Sequence, residues 1–199
     1  RYETIIFFTS FCMHAHRTWL ELNSRALASN IASLKALLDS EARFCAVVKA
    51  NAYGHGLKEV SSIAQSQGVD AFAVDHIDDA LQLREWFPSV LVLVMGYTMF
   101  DRFKDALRND IHLTLYDKEG IERAQSVGAE FAKPFPVHVK IETGTHRQGI
   151  LPQDLDDIIQ LLQRSPMLQV AGISTHFANI EDSRNPEYAT KQFLRFQEG

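Results

Sequence analysis

Short apolar runs alternate with helical segments along most of the chain, and this alternation restricts the fold more than any other feature of the sequence. Several runs are apolar on both faces, which is typical of strands in a parallel sheet covered by helices. Right-handed crossovers between such strands leave two arrangements, an open doubly wound α/β sheet or a barrel. Strands are predicted at 45–49, 71–74, 90–95, 111–115, 136–141 and 170–175, after a short strand at 18–22. Helices are predicted at 57–67, 77–86, 99–107, 118–126 and 155–162, with a first helix capped by Asn23 or Ser24 and a last helix opened by Asn185-Pro-Glu187.

The positions of the polar residues favour the barrel. No Gly-x-Gly-x-x-Gly turn follows the first strand, so a dinucleotide-binding sheet is disfavoured. Lys49, the segment 142–147 and His176 stand where predicted strands end, and a barrel of eight strand–helix units carries its chemistry at that end. We therefore predict an α/β fold of the (β/α)8 TIM-barrel type, incomplete here, with about six of the eight units present.

Lys49 is the most informative of these residues. It follows the apolar run Cys45-Ala-Val-Val and precedes Ala-Asn-Ala-Tyr53-Gly-His-Gly56. Desolvation disfavours an ammonium ion, so an apolar neighbourhood favours the neutral amine. A neutral amine is the nucleophile that Schiff-base chemistry with an aldehyde requires. A lysine that points into solvent at the end of a strand is the alternative.

Composition and charge exclude several classes of protein. The net charge of −5 gives no reason to expect nucleic acid or an anionic membrane surface as a partner. The two cysteines, Cys12 and Cys45, lack a metal-binding spacing, which favours the reducing cytoplasm. No run reaches the roughly 20 apolar residues that span a bilayer. Residues 1–16 are interpreted as an N-terminal extension outside the fold, with Met13 as a candidate start and residues 1–12 as upstream or added sequence.

The segment Val48-Lys-Ala-Asn-Ala-Tyr-Gly-His-Gly56 resembles the cofactor-lysine segment of alanine racemases, nearly residue for residue. The resemblance extends over residues 17–199. It implies a partial α/β barrel that binds pyridoxal 5'-phosphate, without the C-terminal β-domain of the family. Four later stretches resemble the family in the same order: Phe72-Ala-Val with Ala80-Leu-Gln-Leu-Arg84, Lys140-Ile-Glu-Thr-Gly with His146-Arg-Gln-Gly149, Gly172-Ile-Ser-Thr-His-Phe-Ala178, and Gln192 to Phe196 on a helix.

The resemblance implies roles for four residues. Lys49 would be the catalytic lysine, joined to the aldehyde of pyridoxal 5'-phosphate as an imine. The hydroxyl of Tyr53 would reach the cofactor phosphate, and His176 would lie against the pyridine ring. Arg147 would donate to the phenolate oxygen of the cofactor and lie beside the substrate carboxylate. The structural alternatives are a packed tyrosine, a core histidine and a solvated arginine.

Lys140 lies inside the fifth predicted strand, where a lysine is costly unless it is paired. The family often carbamylates a lysine at this position, and the resulting anion holds the active-site arginine. Simple pairing with Glu142 is an equally open alternative. Glu142 and Thr145 depart from the family pattern Asp-Thr-Gly-Met, and these departures concern the choice of substrate.

The implied activity is the racemisation of alanine, which supplies D-alanine for cell-wall peptidoglycan. The family acts as a cytoplasmic homodimer on a small amino acid, and its second acid–base group is a tyrosine in the C-terminal β-domain of the partner subunit. No position here matches that tyrosine, so we expect the chain alone to be inactive.

Three alternatives remain open at this level. The first is a pyridoxal-phosphate-binding barrel without catalytic activity, and the second is a racemase of another small amino acid such as serine. The third is a metal-dependent amidohydrolase built from the pair His14 and His16 with Lys140 and His176. That arrangement would leave Lys49 without a role.

Overall fold

The computed structural model describes residues 19–181 and 184–198. Contacts divide the chain into two compact units, the first ending at Val92 and the second beginning at Leu93. The predicted extension 1–16 lies outside the described residues.

From residue 19 onward, the first unit contains two complete strands and four helical segments. Asn23 caps its first helix, because Oδ1 accepts the backbone N–H of Ala26 at 2.9 Å, as the sequence predicted. Its elements are α1 (Ser24–Lys35), β1 (Cys45–Val47), the short segment α2 (Lys49–Tyr53), α3 (Leu57–Ser66), β2 (Ala71–Val74) and α4 (Ile77–Trp86).

The second unit begins within β3 (Leu91–Val94) and continues the alternation of strands and helices. Two of its helices, α5 and α7, follow a short 3-10 turn. Its further elements are α5 (Phe103–Arg108), β4 (Ile111–Leu115), α6 (Lys118–Glu130), β5 (Phe135–Lys140), α7 (Leu155–Gln163), β6 (Leu168–Ser174) and α8 (Glu187–Glu198).

The strands are hydrogen-bonded in the order in which they occur, β1-β2-β3-β4-β5-β6. Pairing is parallel between β1 and β2, between β4 and β5, and between β5 and β6. The register of β5 and β6 shifts at one point, because Val137 pairs with Val170 whereas His138 pairs with Gly172. Ala171 is therefore the extra residue of a β-bulge in β6. Beyond the bulge, the alternation of side chains between the two faces of the sheet is shifted by one residue.

Buried apolar strands form the core of each unit, as the runs without polar alternation predicted. Strand β1 is an exception, because Cys45 and Val47 are exposed although their apolar run predicted burial. In the first unit all four residues of β2 are buried, and Phe72 packs against Phe87 with ring centroids 5.3 Å apart. In the second unit Phe135 of β5 is fully buried and meets Phe103 edge to face, with centroids 6.0 Å apart.

Most sequence-based boundaries agree with the structure, and three do not. The strand predicted at 45–49 ends at Val47, and Lys49 begins α2. The strand predicted at 18–22 is wrong for the described residues, since only Leu22 there makes a β-bridge. Helix α6 was predicted to end before Gly128 but continues to Glu130. Gly128 serves packing there, because a Cβ would lie 2.8 Å from the carbonyl oxygen of Met167. Within the described residues, no helix combines the length and apolar character needed to cross a membrane.

Candidate functional site

Lys49 stands at the carboxyl end of β1. The neighbouring Val48 extends the pairing with β2 by one bond, from its N–H to the carbonyl of Ala73 at 2.9 Å. The amine of Lys49 lies 3.9 Å from Oδ1 of Asp75, the residue that follows β2, and its side chain is 33% exposed. The surroundings are thus less apolar than the sequence suggested, and Val47 is itself 42% exposed. The amine is accessible and has an acidic neighbour.

The segment after Lys49 is a left-handed helical turn. Ala50, Asn51, Ala52 and Tyr53 have φ values of 53°, 54°, 51° and 55°. A left-handed conformation costs an L-residue roughly 1–2 kcal/mol, and successive non-glycine residues rarely adopt it. Sequence reasoning missed the left-handed conformation of this turn, because alanine by itself favours the right-handed helix. Backbone strain of this kind is concentrated at functional sites.

Hydrogen bonds that Asn51 accepts hold the turn. Its side-chain Oδ1 accepts the N–H of Leu57 at 2.7 Å, and its carbonyl accepts the N–H of Gly56 at 3.0 Å. The N–H of Gly54 closes the turn onto the carbonyl of Ala50 at 3.1 Å. A single asparagine therefore fixes the backbone between Lys49 and the start of α3.

Tyr53 and Gly54 present an open surface beside this turn. The Tyr53 side chain is 61% exposed. Gly54 has a φ of 87°, and a Cβ built on it would meet no atom within 4 Å. An exposed phenol and open backbone, four residues after an accessible amine, leave this segment able to donate to an anion and to react with an aldehyde.

In the second unit, Arg147 lies on the loop that follows β5, and Glu142 organises this loop. The Glu142 carboxylate accepts the N–H of Gly144 at 2.5 Å and the N–H of Arg147 at 3.3 Å. Burial raises the pKa of Glu142, but bonds from the backbone amides of residues 144–147 outweigh it and hold the pKa below its usual value. Ile141 and Ile150 form a single parallel β-bridge, which closes the loop at its base.

The guanidinium of Arg147 is available for an anion. Arg147 is exposed, and within the described residues its side chain makes no hydrogen bond or ion pair. Gly149 allows the end of the loop to pass close to its start, because a Cβ at Gly149 would lie only 2.6 Å from the backbone nitrogen of Glu142. A fixed loop with a free guanidinium fits a carboxylate or a phenolate oxygen.

His176 and Lys140 occupy the ends of the two neighbouring strands β6 and β5. His176 is exposed, and its carbonyl accepts the hydroxyl of Thr145, which joins its loop to that of Arg147. Lys140 is 9% exposed and pairs in register with Ser174. The carbamylation of Lys140 stays a prediction, as does its pairing with Glu142.

The structure brings the predicted residues together in two groups. Lys49 and Tyr53 share one segment of the first unit. Arg147 and His176 share joined loops of the second unit, at the end of the strand that carries Lys140. Sequence reasoning missed Asp75, Thr143, Tyr188, Gln192 and Arg195 as members of these groups. Asp75 could have been found, since it directly follows an apolar strand.

The metal-site alternative depended on His14 and His16, which lie outside the described residues. Among residues 19–181 and 184–198, no group of three or more histidine, cysteine, aspartate or glutamate side chains could hold a metal ion.

Comparison with known proteins identifies the family. Residues 22–199 match the family model of the alanine racemase N-terminal domain. The chain belongs to the alanine racemase family. This match confirms the family that the lysine segment and the later motifs indicated.

Relatives and solved structures agree with this family. The alanine racemase of Methanococcus maripaludis is 35% identical over 185 residues, which are 92% of this chain and 49% of that protein. The alanine racemase of Geobacillus stearothermophilus is also 35% identical, over 91% of this chain and 47% of its own length. A structure of Clostridium difficile alanine racemase in complex with cycloserine is 32% identical with a TM-score of 0.80, covering 88% of this chain and 48% of that one. The chain thus spans about half the length of these racemases, and the predicted incomplete α/β barrel fold is confirmed.

Proposed function

We propose that the protein containing this chain racemises a small amino acid, with alanine as the first candidate substrate, and that Lys49 holds pyridoxal 5'-phosphate. The observation that carries the proposal is the accessible amine of Lys49 at the end of β1, followed by the strained turn and exposed Tyr53. Membership of the alanine racemase family supports the same assignment.

When bound, the cofactor supplies an electron sink that makes the α-proton of an amino acid acidic. Lys49 removes or returns that proton at Nζ. Asp75, whose Oδ1 lies 3.9 Å from Nζ, stabilises the amine while it carries the proton. Return of a proton from the opposite face requires a second acid–base group. For that group we propose a tyrosine of the partner subunit in a homodimer.

Other residues bind and orient. The hydroxyl of Tyr53 would donate to the phosphate beside the open backbone of Gly54. Arg147 would donate to the phenolate oxygen and to the substrate carboxylate from a loop that Glu142 holds. His176 would cover the ring and exclude water. The proposal includes a cytoplasmic location and supply of D-alanine for peptidoglycan.

The experiment is reduction with borohydride, which fixes a lysine-bound pyridoxal to the chain. The full-length protein is reconstituted with pyridoxal 5'-phosphate, reduced, digested and mapped by mass spectrometry. We expect the label on the peptide that contains Lys49, and we expect Lys49→Ala to lose both the label and the visible absorbance band. Lys58→Ala is the control, because it removes another lysine of the same unit, one that lies 5.3 Å from the Trp86 ring. A label on a different lysine in the wild type would contradict the assignment.

A racemase of another amino acid is the second candidate. A histidine racemase of Leuconostoc mesenteroides is 30% identical with a TM-score of 0.79, so the same fold is also found in a racemase of a different amino acid. Thr145 also departs from the family pattern, and its hydroxyl donates to the carbonyl of His176. Turnover of L-alanine, L-serine and L-histidine by the full-length enzyme, with chiral analysis of the products, decides between the candidates.

A further inference from the structure

Gln192 of α8 is completely buried, and its amide contacts two different loops. Nε2 donates to Oγ1 of Thr143 at 3.2 Å and to the carbonyl of His176 at 2.9 Å. Oε1 accepts the N–H of Ala178 at 2.8 Å. Both hydrogens and the oxygen of the amide are therefore used, as a buried polar group requires.

Other residues on the same side of α8 also reach the loop that carries Arg147. The hydroxyl of Tyr188 donates to the carbonyl of Gly144 at 2.5 Å, and Arg195 donates to the carbonyl of Thr143 at 3.0 Å. The spacing of Tyr188, Gln192 and Arg195 places them on one helical face. That face binds the loop after β5, and Gln192 also holds the described part of the loop after β6.

We propose that Gln192 is a positioning residue, which fixes the loop of Arg147 relative to the loop of His176. The inference rests on the proposed function, in which both loops contact the cofactor. The two N–H bonds of a planar amide diverge at a fixed angle, so together they set the separation of Thr143 Oγ1 from the His176 carbonyl. The Thr143–Thr175 hydroxyl contact at 2.7 Å joins the same two loops.

Glutamate cannot replace this glutamine, although it has the same shape. An ionised carboxylate has no hydrogen to donate, so it would face the carbonyl of His176 with a second acceptor. Burial and this carbonyl would raise the pKa of the new carboxyl. Its protonated form regains one donor, and the defect of Gln192→Glu should therefore diminish as the pH falls.

The first measurement is the affinity of the full-length protein for pyridoxal 5'-phosphate, with kcat and KM, at pH 8 and pH 6. We expect Gln192→Glu to raise the cofactor Kd about tenfold over wild type at pH 8, and about threefold at pH 6. Dividing the cofactor Kd of the variant by that of the wild type at each pH removes the effect of groups that titrate in both proteins. The matched control is Gln160→Glu, which makes the same exchange at an exposed position of α7 and should give ratios near one. A ratio for Gln192→Glu that is near one at pH 8, or that does not change with pH, overturns the inference.

The second measurement is amide hydrogen exchange of the protein without cofactor, in the wild type and in Gln192→Met. Loss of the Oε1 acceptor should speed exchange at Ala178 by about tenfold or more. Circular dichroism at the assay temperature shows whether each variant is folded. Faster exchange with unchanged cofactor Kd, kcat and KM overturns the positioning role and leaves the proposed function intact. A wild type that forms no lysine-bound pyridoxal overturns the proposed function, and the positioning role with it.

Discussion

The N–H of Leu57 donates to Oδ1 of Asn51 at 2.7 Å, and this bond ties the start of α3 to the left-handed turn beside Lys49. Asparagine suits the position for two reasons. Its short side chain reaches the helix start, and it tolerates a positive φ better than most residues.

Asn51→Ala should destabilise the protein by about 1–3 kcal/mol, because it leaves the Leu57 amide without its partner. It should also weaken the visible absorbance band of the reconstituted protein, since Lys49 adjoins the turn. Urea denaturation and cofactor titration measure the two effects. Asn23→Ala is the matched control: it removes the cap of α1 at a cost of about 1 kcal/mol but should not change the cofactor band. Equal effects of the two variants on the band would contradict this prediction.

Ala50→Gly should leave stability unchanged or raise it by up to about 1 kcal/mol, because glycine adopts the left-handed conformation without steric cost. Ala50 is exposed, so little packing is lost. The control is Ala32→Gly at an exposed position of the right-handed helix α1, which should cost about 1 kcal/mol. Both are measured by urea denaturation. A loss at Ala50 as large as that at Ala32 would show that the left-handed turn is not strained.

Glu142→Gln should loosen the loop of Arg147 and cost about 1.5–3 kcal/mol, because a charged acceptor of backbone amides is lost. The pKa of Glu142 is lowered from 4.5 in the folded protein, so its contribution is complete above pH 4.5 and is lost as the pH falls through the lower folded value. Wild type and variant should therefore converge in stability in acid. Denaturation between pH 3 and pH 7 measures this, with the exposed Glu119→Gln as a control for loss of charge. A constant difference between wild type and Glu142→Gln across that range would refute it.

Gly172→Ala should destabilise the protein by about 1–3 kcal/mol through overpacking. A Cβ at Gly172 would lie 2.8 Å from Nδ1 of His138. His138 is also held by His112, because Nε2 of His138 lies 3.1 Å from Nδ1 of His112. The cost should be smaller when His138 is already alanine. A double-mutant cycle measures this coupling, and additive costs would speak against the contact.

The sequence by itself determined the parallel α/β class and the family to which the chain belongs. The segments 71–74 and 111–115 became β2 and β4 with the predicted bounds. Burial on both faces explains the continuous apolar run 71–74, whereas His112 and Thr114 interrupt the apolar residues of the second segment. The lysine segment was equally informative, because its residues resemble the corresponding segment of the family nearly one for one.

Only the tertiary structure decided how the loops are held. The turn after Lys49 is left-handed against the preference of its alanines, which local propensity cannot reveal. Gln192 reaches Thr143 across 49 positions of sequence, and its role depends on where α8 packs. Local pattern follows from residues close together in the chain, whereas these contacts exist only after distant segments have packed.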